Sequence, residues 1–577
     1  MGFSAPYRRI YYLLVFSAIS LSFFSTTGPY LLKIIIDDYI IPKDHEGLKF
    51  FVILMLIALL LEVFFQFVFI YFANWLGQMI IKDIRIVLYD RLINFKMTYF
   101  DNSSVGKLVT RSVNDIEVIA SIFSQGLFMI IADFLKMGLV IIVMLFINWE
   151  LSLIVFSVLP IIIYATKVFQ KSMKLAFEDV RNQISNLNAF VQERINGIKI
   201  VKLFNREIID HKLFNEINQK HKKAWLKTVW YNSIFFPIAE ISTSITIGLL
   251  VWYGGLQASF YGLISIGTIF LFIRMSNILF HPLRQIADKF NTLQMGMVAA
   301  QRVFNIIETQ NRTLDLGKIR KHNIKGSIEF KNLKFSYIEG EEVLKGINLK
   351  VRPGEKIAIV GSTGSGKTTI INLLSRFYEF NHGDILIDDI PIKDFRLKNL
   401  NSNISVVLQD VFLFADTIHN NISLYDTKIT REKIIKAAME IGVHDFINSL
   451  PLNYDYNVKE RGVMLSSGQR QLIAFLRAYM SNPSILVLDE ATSSIDSYAE
   501  ELIQNAIKKI TIGKTSIMIA HRLTTIRNAD RIAVMDKGRI VELGNHSELI
   551  KNYSGLYFNL YNSQFSELEK TKEISLS

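Results

Sequence analysis

The run Gly361-Ser362-Thr363-Gly364-Ser365-Gly366-Lys367-Thr368-Thr369 follows the apolar stretch Lys356 to Val360 and precedes the helix-forming run Ile370 to Leu374. Strand, glycine-rich turn and helix N-terminus in that order make a phosphate-binding loop. The glycines let the backbone curl so that consecutive N–H groups face phosphate oxygens; Lys367 neutralises those oxygens, and Thr368 can coordinate Mg²⁺. Further along, Ile485 to Leu488 is a continuous apolar run, as a strand buried on both faces should be, and it ends in Asp489-Glu490. Asp489 suits a metal ion, and Glu490 can polarise an attacking water as general base. An acidic pair at a strand end is common by itself; beside a phosphate loop it makes water the expected phosphoryl acceptor.

The elements that must position these groups occupy only the second half of the 577-residue chain. Hydrophobic residues make up 50% and charged residues 20%, which fits a membrane protein and excludes a disordered or collagenous chain. With no cysteine there is no disulfide framework, thiolate metal site or cysteine nucleophile. The net charge of +12 suits anionic ligands or an anionic membrane surface. Long apolar runs lie before about residue 300, and six are long enough to span a bilayer: roughly 10–36, 49–76, 118–147, 150–170, 232–258 and 263–284. The first is too long for a secretory leader and reads as a retained helix.

Short connections join spans one and two, three and four, and five and six. The other two connections are long and carry Lys82, Arg85, Arg91, Lys96, Lys107 and Arg111, then Lys167, Lys171, Lys174 and Arg181. The positive-inside rule makes those loops and both termini cytoplasmic, and their helical character predicts stalks reaching beyond the bilayer. Charges inside the spans are few: Glu62, Asp133, Lys136, Glu240 and Arg274. They belong in a bundle interior or a watery path, and pairing between helices and a polar substrate route both explain them. After a polar linker comes an α/β pattern, with strands expected at Ser327 to Phe330, Lys356 to Val360, Asp384 to Ile387, Ile404 to Leu408, Ser484 to Leu488 and Thr515 to Ile519.

Leu465-Ser466-Ser467-Gly468-Gln469-Arg470-Gln471 resembles the signature motif of ABC ATPases. Other segments are in register with that family: Tyr337 matches its adenine-stacking aromatic, Gln409 its Q-loop, Ser493 to Asp496 its D-loop and His521 its switch histidine. Glu460-Arg461-Gly462 resembles the short motif ahead of the signature in exporters. More weakly, Phe100-Asp101, Arg111 to Asp115, and Gln192-Glu193 with Gly197, Val201, Lys202 and Phe204 resemble the intracellular segments of six-helix ABC exporters.

The resemblance implies a half-transporter of the multidrug and lipid exporter type: an all-α six-helix transmembrane domain followed by an α/β P-loop ATPase domain. The expected boundaries are 1–304 for the membrane domain with its cytoplasmic extensions, 305–325 for the linker, 326–562 for the ATPase domain and 563–577 for a polar tail. It implies ATP with Mg²⁺, the metal held by Thr368, Gln409 and Asp489. Glu490, His521 and Gln409 become the hydrolytic residues, and Tyr337, residues 361–369 and Asp496 line the nucleotide. Ser466, Gly468 and Gln469 would serve the ATP of a second chain across a head-to-tail dimer.

The expected partners are therefore another half-transporter, the lipid bilayer and a hydrophobic or amphipathic substrate, with no nucleic acid. A bacterial inner membrane is the expected location, the ATPase domain facing the cytoplasm. The family's commonest signature has glycine where this chain has Ser467, and an alanine-leucine pair at Ser494-Ile495. That pattern suits one member of a heterodimer, and equally a homodimer that tolerates serine. An ATP-gated channel or regulatory subunit is the alternative from another class; the intact Glu490 and His521 argue for pumping.

Overall fold

The computed structural model describes residues 6–313, 315–320, 323–489, 497–520 and 526–563. The backbone divides into one unit of Met1–Asn94 with Ser103–Gln310 and another of Phe95–Asn102 with Asn311–Ser577.

The first unit is helical: α1 (Arg8–Ile34), α2 (His45–Ile93) and, after the excursion into the second unit that carries α3 (Met97–Asp101), α4 (Val105–Thr110), α5 (Ile116–Ser121) and α6 (Phe128–Ile147). Then come α7 (Trp149–Asn196), α8 (Ile198–Leu203), α9 (Glu207–Leu256) and α10 (Ile266–Glu308). Six of these segments are long and apolar enough to cross a membrane. In lipid the backbone must satisfy itself, which is why apolar runs of this length become helices. At 1.5 Å per residue the 49 residues of α2 and the 50 of α9 extend about 75 Å, well over twice the ~30 Å hydrocarbon layer. The predicted extensions of spans two, four and five are thus continuous with α2, α7 and α9, whereas the stretch ahead of span three is divided among α3, α4 and α5. The third span is shorter than the expected 118–147: a π-helical turn over Ile122–Leu127 interrupts the run, and the apolar helix begins at Phe128.

Local chemistry fixes the tight turns. Asn148 accepts from the N–H of Leu151 at 2.9 Å and starts α7. Ser265 does the same for Thr268 at 3.2 Å at the start of α10, where the Asp37 carboxylate also accepts from Gly267 N–H at 2.7 Å. Buried hydroxyls at Ser242, Thr243 and Thr246 of α9 donate back to carbonyls four residues earlier, so none of these three is stranded.

The second unit carries ten strands among the described residues: β1 (Ile328–Ser336), β2 (Glu342–Val351), β3 (Lys356–Gly361), β4 (His382–Ile387), β5 (Ile390–Pro391), β6 (Ile404–Val407), β7 (Ile485–Asp489), β8 (Thr515–Ile519), β9 (Arg531–Asp536) and β10 (Arg539–Gly544). Helices between them include α11 (Lys367–Leu374), α12 (Leu397–Asn403), α13 (Ile418–Ser423), α14 (Arg431–Ile441), α15 (His444–Asn448), α16 (Ser467–Met480) and α17 (Ser497–Ile510). One sheet has the order β2-β1-β4-β5 and is antiparallel; the other has the order β10-β9-β3-β8-β7-β6, parallel from β9 to β6.

Every residue of β7 and β8 is buried, as continuous apolar strands of a two-sided parallel sheet require. One face packs with α11 against the antiparallel sheet around Phe330, Ile359, Ile371 and Phe395; the other packs through Leu486, Leu488 and Met518 on the helical layer of α13 to α17. Within residues 305–325, α10 runs on to Glu308, Ile319 donates its N–H to the Asp394 carbonyl at 3.0 Å, and Ile324 is buried in the second unit's core.

Candidate nucleotide-hydrolysis site

In an open parallel sheet ligands bind beyond the carboxyl ends of the strands. Here β3 and β7 flank β8, with Ile359 and Asp489 both registered beside Ile519, so the loop after β3 and the acid ending β7 meet at one edge. Gly366 stands at φ +100°, and a side chain there would collide with Leu344 Cδ2 at 2.7 Å; Gly364, at φ +82°, has open space where a side chain would be. Both angles lie where L side chains are strained. The backbone therefore forms a cradle that opens at α11's N-terminus. The Ser365 hydroxyl is buried there without a hydrogen-bond partner among the described residues, as fits a group that meets a ligand oxygen.

Lys367 is 7% exposed and its ammonium donates to the carbonyls of Gly361 at 2.8 Å and Ser362 at 2.9 Å. Burial holds its pKa below the ordinary lysine value, against the pull of Asp489. Asp489 is pushed up chiefly by burial, with Asp410 adding to the shift and Lys367 and a hydrogen bond from Thr368 opposing it. Burial makes an unneutralised carboxylate unfavourable, and a hard divalent cation is the partner that relieves it. Thr368 and Asp489 supply the hard oxygen donors that Mg²⁺ takes, so the residues fit that ion. Gln409, on the segment after β6, is exposed.

Tyr337 follows β1 and is 46% exposed. Its hydroxyl accepts from the Asn372 amide at 3.1 Å and donates to Thr369 at 3.4 Å, while Phe335 and Tyr378 pack edge-on against it at 4.7 and 5.0 Å. The ring is thus held beside α11 with area left for a flat ligand. The signature run sits at the start of α16: Ser466 is the N-cap, Ser467 is exposed on the first turn and Gly468 is buried. Arg470 ties the loop down by donating to the Leu465 carbonyl at 2.9 Å. Gln469 takes part in a capping box with Ser466, a local role that an S-x-x-Q spacing encodes. Glu490, Ser493 to Asp496 and His521 lie outside the described residues.

Two residues were not singled out from the sequence. Asp410 acts on Asp489 through charge, and its adjacency to Gln409 was the available signal. Tyr378 donates to the Asp101 carboxylate of α3, and no local pattern announces a contact between residues that far apart in the chain. The segment carrying Asp101 also pairs Phe95 with Arg312 and donates the Lys96 N–H to the Asn311 carbonyl at 2.9 Å.

Residues 11–283 match the ABC transporter transmembrane region and residues 344–493 match the ABC transporter family. An ATP-dependent lipid A-core flippase of Syntrophus aciditrophicus is 35% identical over 94% of this chain and 90% of its own length. The chain belongs to the ABC transporter family. A probable multidrug resistance ABC transporter ATP-binding/permease protein of Bacillus subtilis is 36% identical over 90% of this chain and 76% of its own. The solved structure of a bacterial Atm1-family ABC exporter with ATP bound superposes with a TM-score of 0.78 at 25% identity, covering 97% of this chain and 98% of that one.

This ABC protein is accordingly a multi-pass membrane half-transporter, with a six-helix membrane domain fused to an α/β ATPase domain. It binds and hydrolyses ATP to drive export and works as a dimer.

Proposed function

We propose that this half-transporter exports a hydrophobic or amphipathic molecule, lipid-like or drug-like, across a bacterial inner membrane with its ATPase domain in the cytoplasm. The names of the flippase and multidrug relatives support the substrate class, and the basic loops between spans two and three and between four and five support the orientation. The observation that carries the reading is one chain holding both the phosphate loop with Lys367 beside the buried Asp489 and six membrane-length helices among the described residues.

In this reading Tyr337 stacks on the adenine and Asp496 lines the same site. The loop Gly361, Ser362, Thr363, Gly364, Ser365, Gly366, Lys367, Thr368 and Thr369 wraps the phosphates with its N–H groups. Thr368, Gln409 and Asp489 hold Mg²⁺, which would neutralise charge on the phosphate oxygens. Glu490 takes the proton of the attacking water, and His521 donates a hydrogen bond toward the γ-phosphate. Ser466, Gly468 and Gln469 of a second chain close the site, so closure is favoured because ATP binds the engaged dimer better than the separated one. The second chain is a copy of this one or a different half-transporter.

The test is Mg²⁺-dependent ATP hydrolysis by the purified chain in nanodiscs, beside Glu490→Gln, followed by uphill uptake of a fluorescent amphiphile into inside-out vesicles. Turnover abolished by the substitution supports a working homodimer. Turnover no higher than the variant's, in folded protein that binds ATP, points to a heterodimer. Hydrolysis and ATP-gated leak without uphill uptake would favour a channel.

A further inference from the structure

The charges within the membrane spans fall into two kinds. Glu62 and Lys136 pair at 3.8 Å across α2 and α6, Asp133 pairs with Lys289 of α10, and Glu240 is engaged as well. Arg274 has no hydrogen-bond or ion-pair partner among the described residues, and it is exposed. It lies at the centre of the apolar stretch Ile266–Leu283 of α10, where a guanidinium facing lipid is strongly disfavoured.

Its neighbours at helical spacing share its face. Phe270, Asn277, His281 and Gln285 are all exposed, three or four residues apart, while Leu271, Phe272, Met275, Leu279 and Phe280 are fully buried on the other side. Asn277 donates to the Ile273 carbonyl at 3.0 Å, which leaves its amide oxygen and second N–H available, and His281 faces Gln285 at 3.5 Å. A polar stripe with a cation at mid-span cannot be a lipid-facing surface, and none of the described residues supplies an anion to it.

We propose that Arg274, flanked by Asn277 and His281, is the headgroup subsite for an exported amphiphile bearing a carboxylate or phosphate, its apolar part lying toward Phe270. A guanidinium fork in a water-poor setting recognises such planar or tetrahedral oxyanions by two parallel hydrogen bonds. The inference rests on the export reading and narrows its substrate to anionic amphiphiles.

The test uses the full-length chain in nanodiscs without nucleotide and 11-(dansylamino)undecanoic acid, whose fluorescence rises in an apolar site, against its methyl ester, with empty nanodiscs subtracted. The wild type is expected to bind the acid at least tenfold more tightly than the ester. Arg274→Gln should erase that preference while leaving ester affinity within about twofold, and Arg274→Lys should keep most of it. On the wild type alone, dodecyl phosphate should displace the acid at tenfold lower concentration than dodecyl maltoside or dodecyltrimethylammonium. Equal binding of acid and ester by the wild type would overturn the proposal, as would an acid preference that survives in Arg274→Gln. Dissociation of the dimer in that variant would also overturn it, because Arg274 would then pair with an acid of the second chain. Binding here is read without ATP, so uptake that fails with acid preference intact counts against export alone. Uptake that works without acid preference counts against this subsite alone.

Discussion

Ser466 and Gln469 cap each other: the Gln469 N–H donates to Ser466 Oγ at 3.3 Å, and the Ser466 N–H donates to Gln469 Oε1 at 2.9 Å. Because the Ser466 hydroxyl is the acceptor in this pair, its own hydrogen stays free to donate outward. Anchoring the signature helix within the chain and reaching a nucleotide on another chain are therefore compatible tasks for one side chain.

The two residues should separate on mutation. Ser466→Ala and Gln469→Ala each remove part of the box, and each is expected to destabilise the α16 N-terminus by about 1 kcal/mol, seen as a lower nucleotide-free melting midpoint. Ser466→Ala should also lower kcat tenfold or more and Gln469→Ala to a smaller degree, because both residues close the second chain's site in the proposed reading. Unchanged turnover in Gln469→Ala would confine its side chain to the cap.

Asp489 carries a stability cost with a definite pH sign. Burial lifts its folded-state pKa above the unfolded value, so the folded chain holds that proton more tightly. Stability then falls as pH rises from the unfolded pKa of about 4 through the folded value, and stays lower above it. Asp489→Asn is expected to melt later than wild type near neutral pH without Mg²⁺, the gap narrowing on acidification, while hydrolysis is lost. A variant that melts earlier at neutral pH would mean that the Thr368 and Lys367 contacts outweigh burial.

The Tyr378 phenol donates to Asp101, and burial together with that carboxylate pushes its pKa upward, so the contact persists across the physiological pH range. Asp101 is joined covalently to the helices on either side of it. Tyr378→Phe should leave ATP hydrolysis within about twofold of wild type and reduce vesicle uptake per ATP several-fold. Unchanged uptake per ATP would remove this contact from the coupling path.

Ser467 is exposed on the first turn of α16, so replacing it does not open a core cavity. If its side chain holds a γ-phosphate away from the helix N-terminus, Ser467→Gly should raise the turnover of the chain assayed alone by several-fold, with little change in melting midpoint. Turnover that stays flat or falls would show that serine already permits close approach.

Local spacing alone made much of this protein legible. The phosphate loop, the apolar strand ending in Asp489 and the six long apolar runs are contiguous in the chain, and each is dictated by backbone satisfaction or by periodicity over a few turns. The strands β2, β5, β9 and β10 are not among those the spacing predicts. β2 and β10 are edge strands in which exposed or half-buried positions, several of them charged, break up any continuous apolar run, and each is held by antiparallel pairing with the strand just before it. The π-helical interruption before Phe128 was likewise hidden, because hydropathy does not register a change of helical pitch. Which charge meets which was decided only by the fold. Asp133 and Lys136 stand three residues apart, yet they pair with Lys289 and Glu62 because α6 packs between other helices; Arg274 is left with no such neighbour among the described residues. Sequence spacing fixes the face of a helix on which a group lies, whereas the partner across from that face is a property of packing.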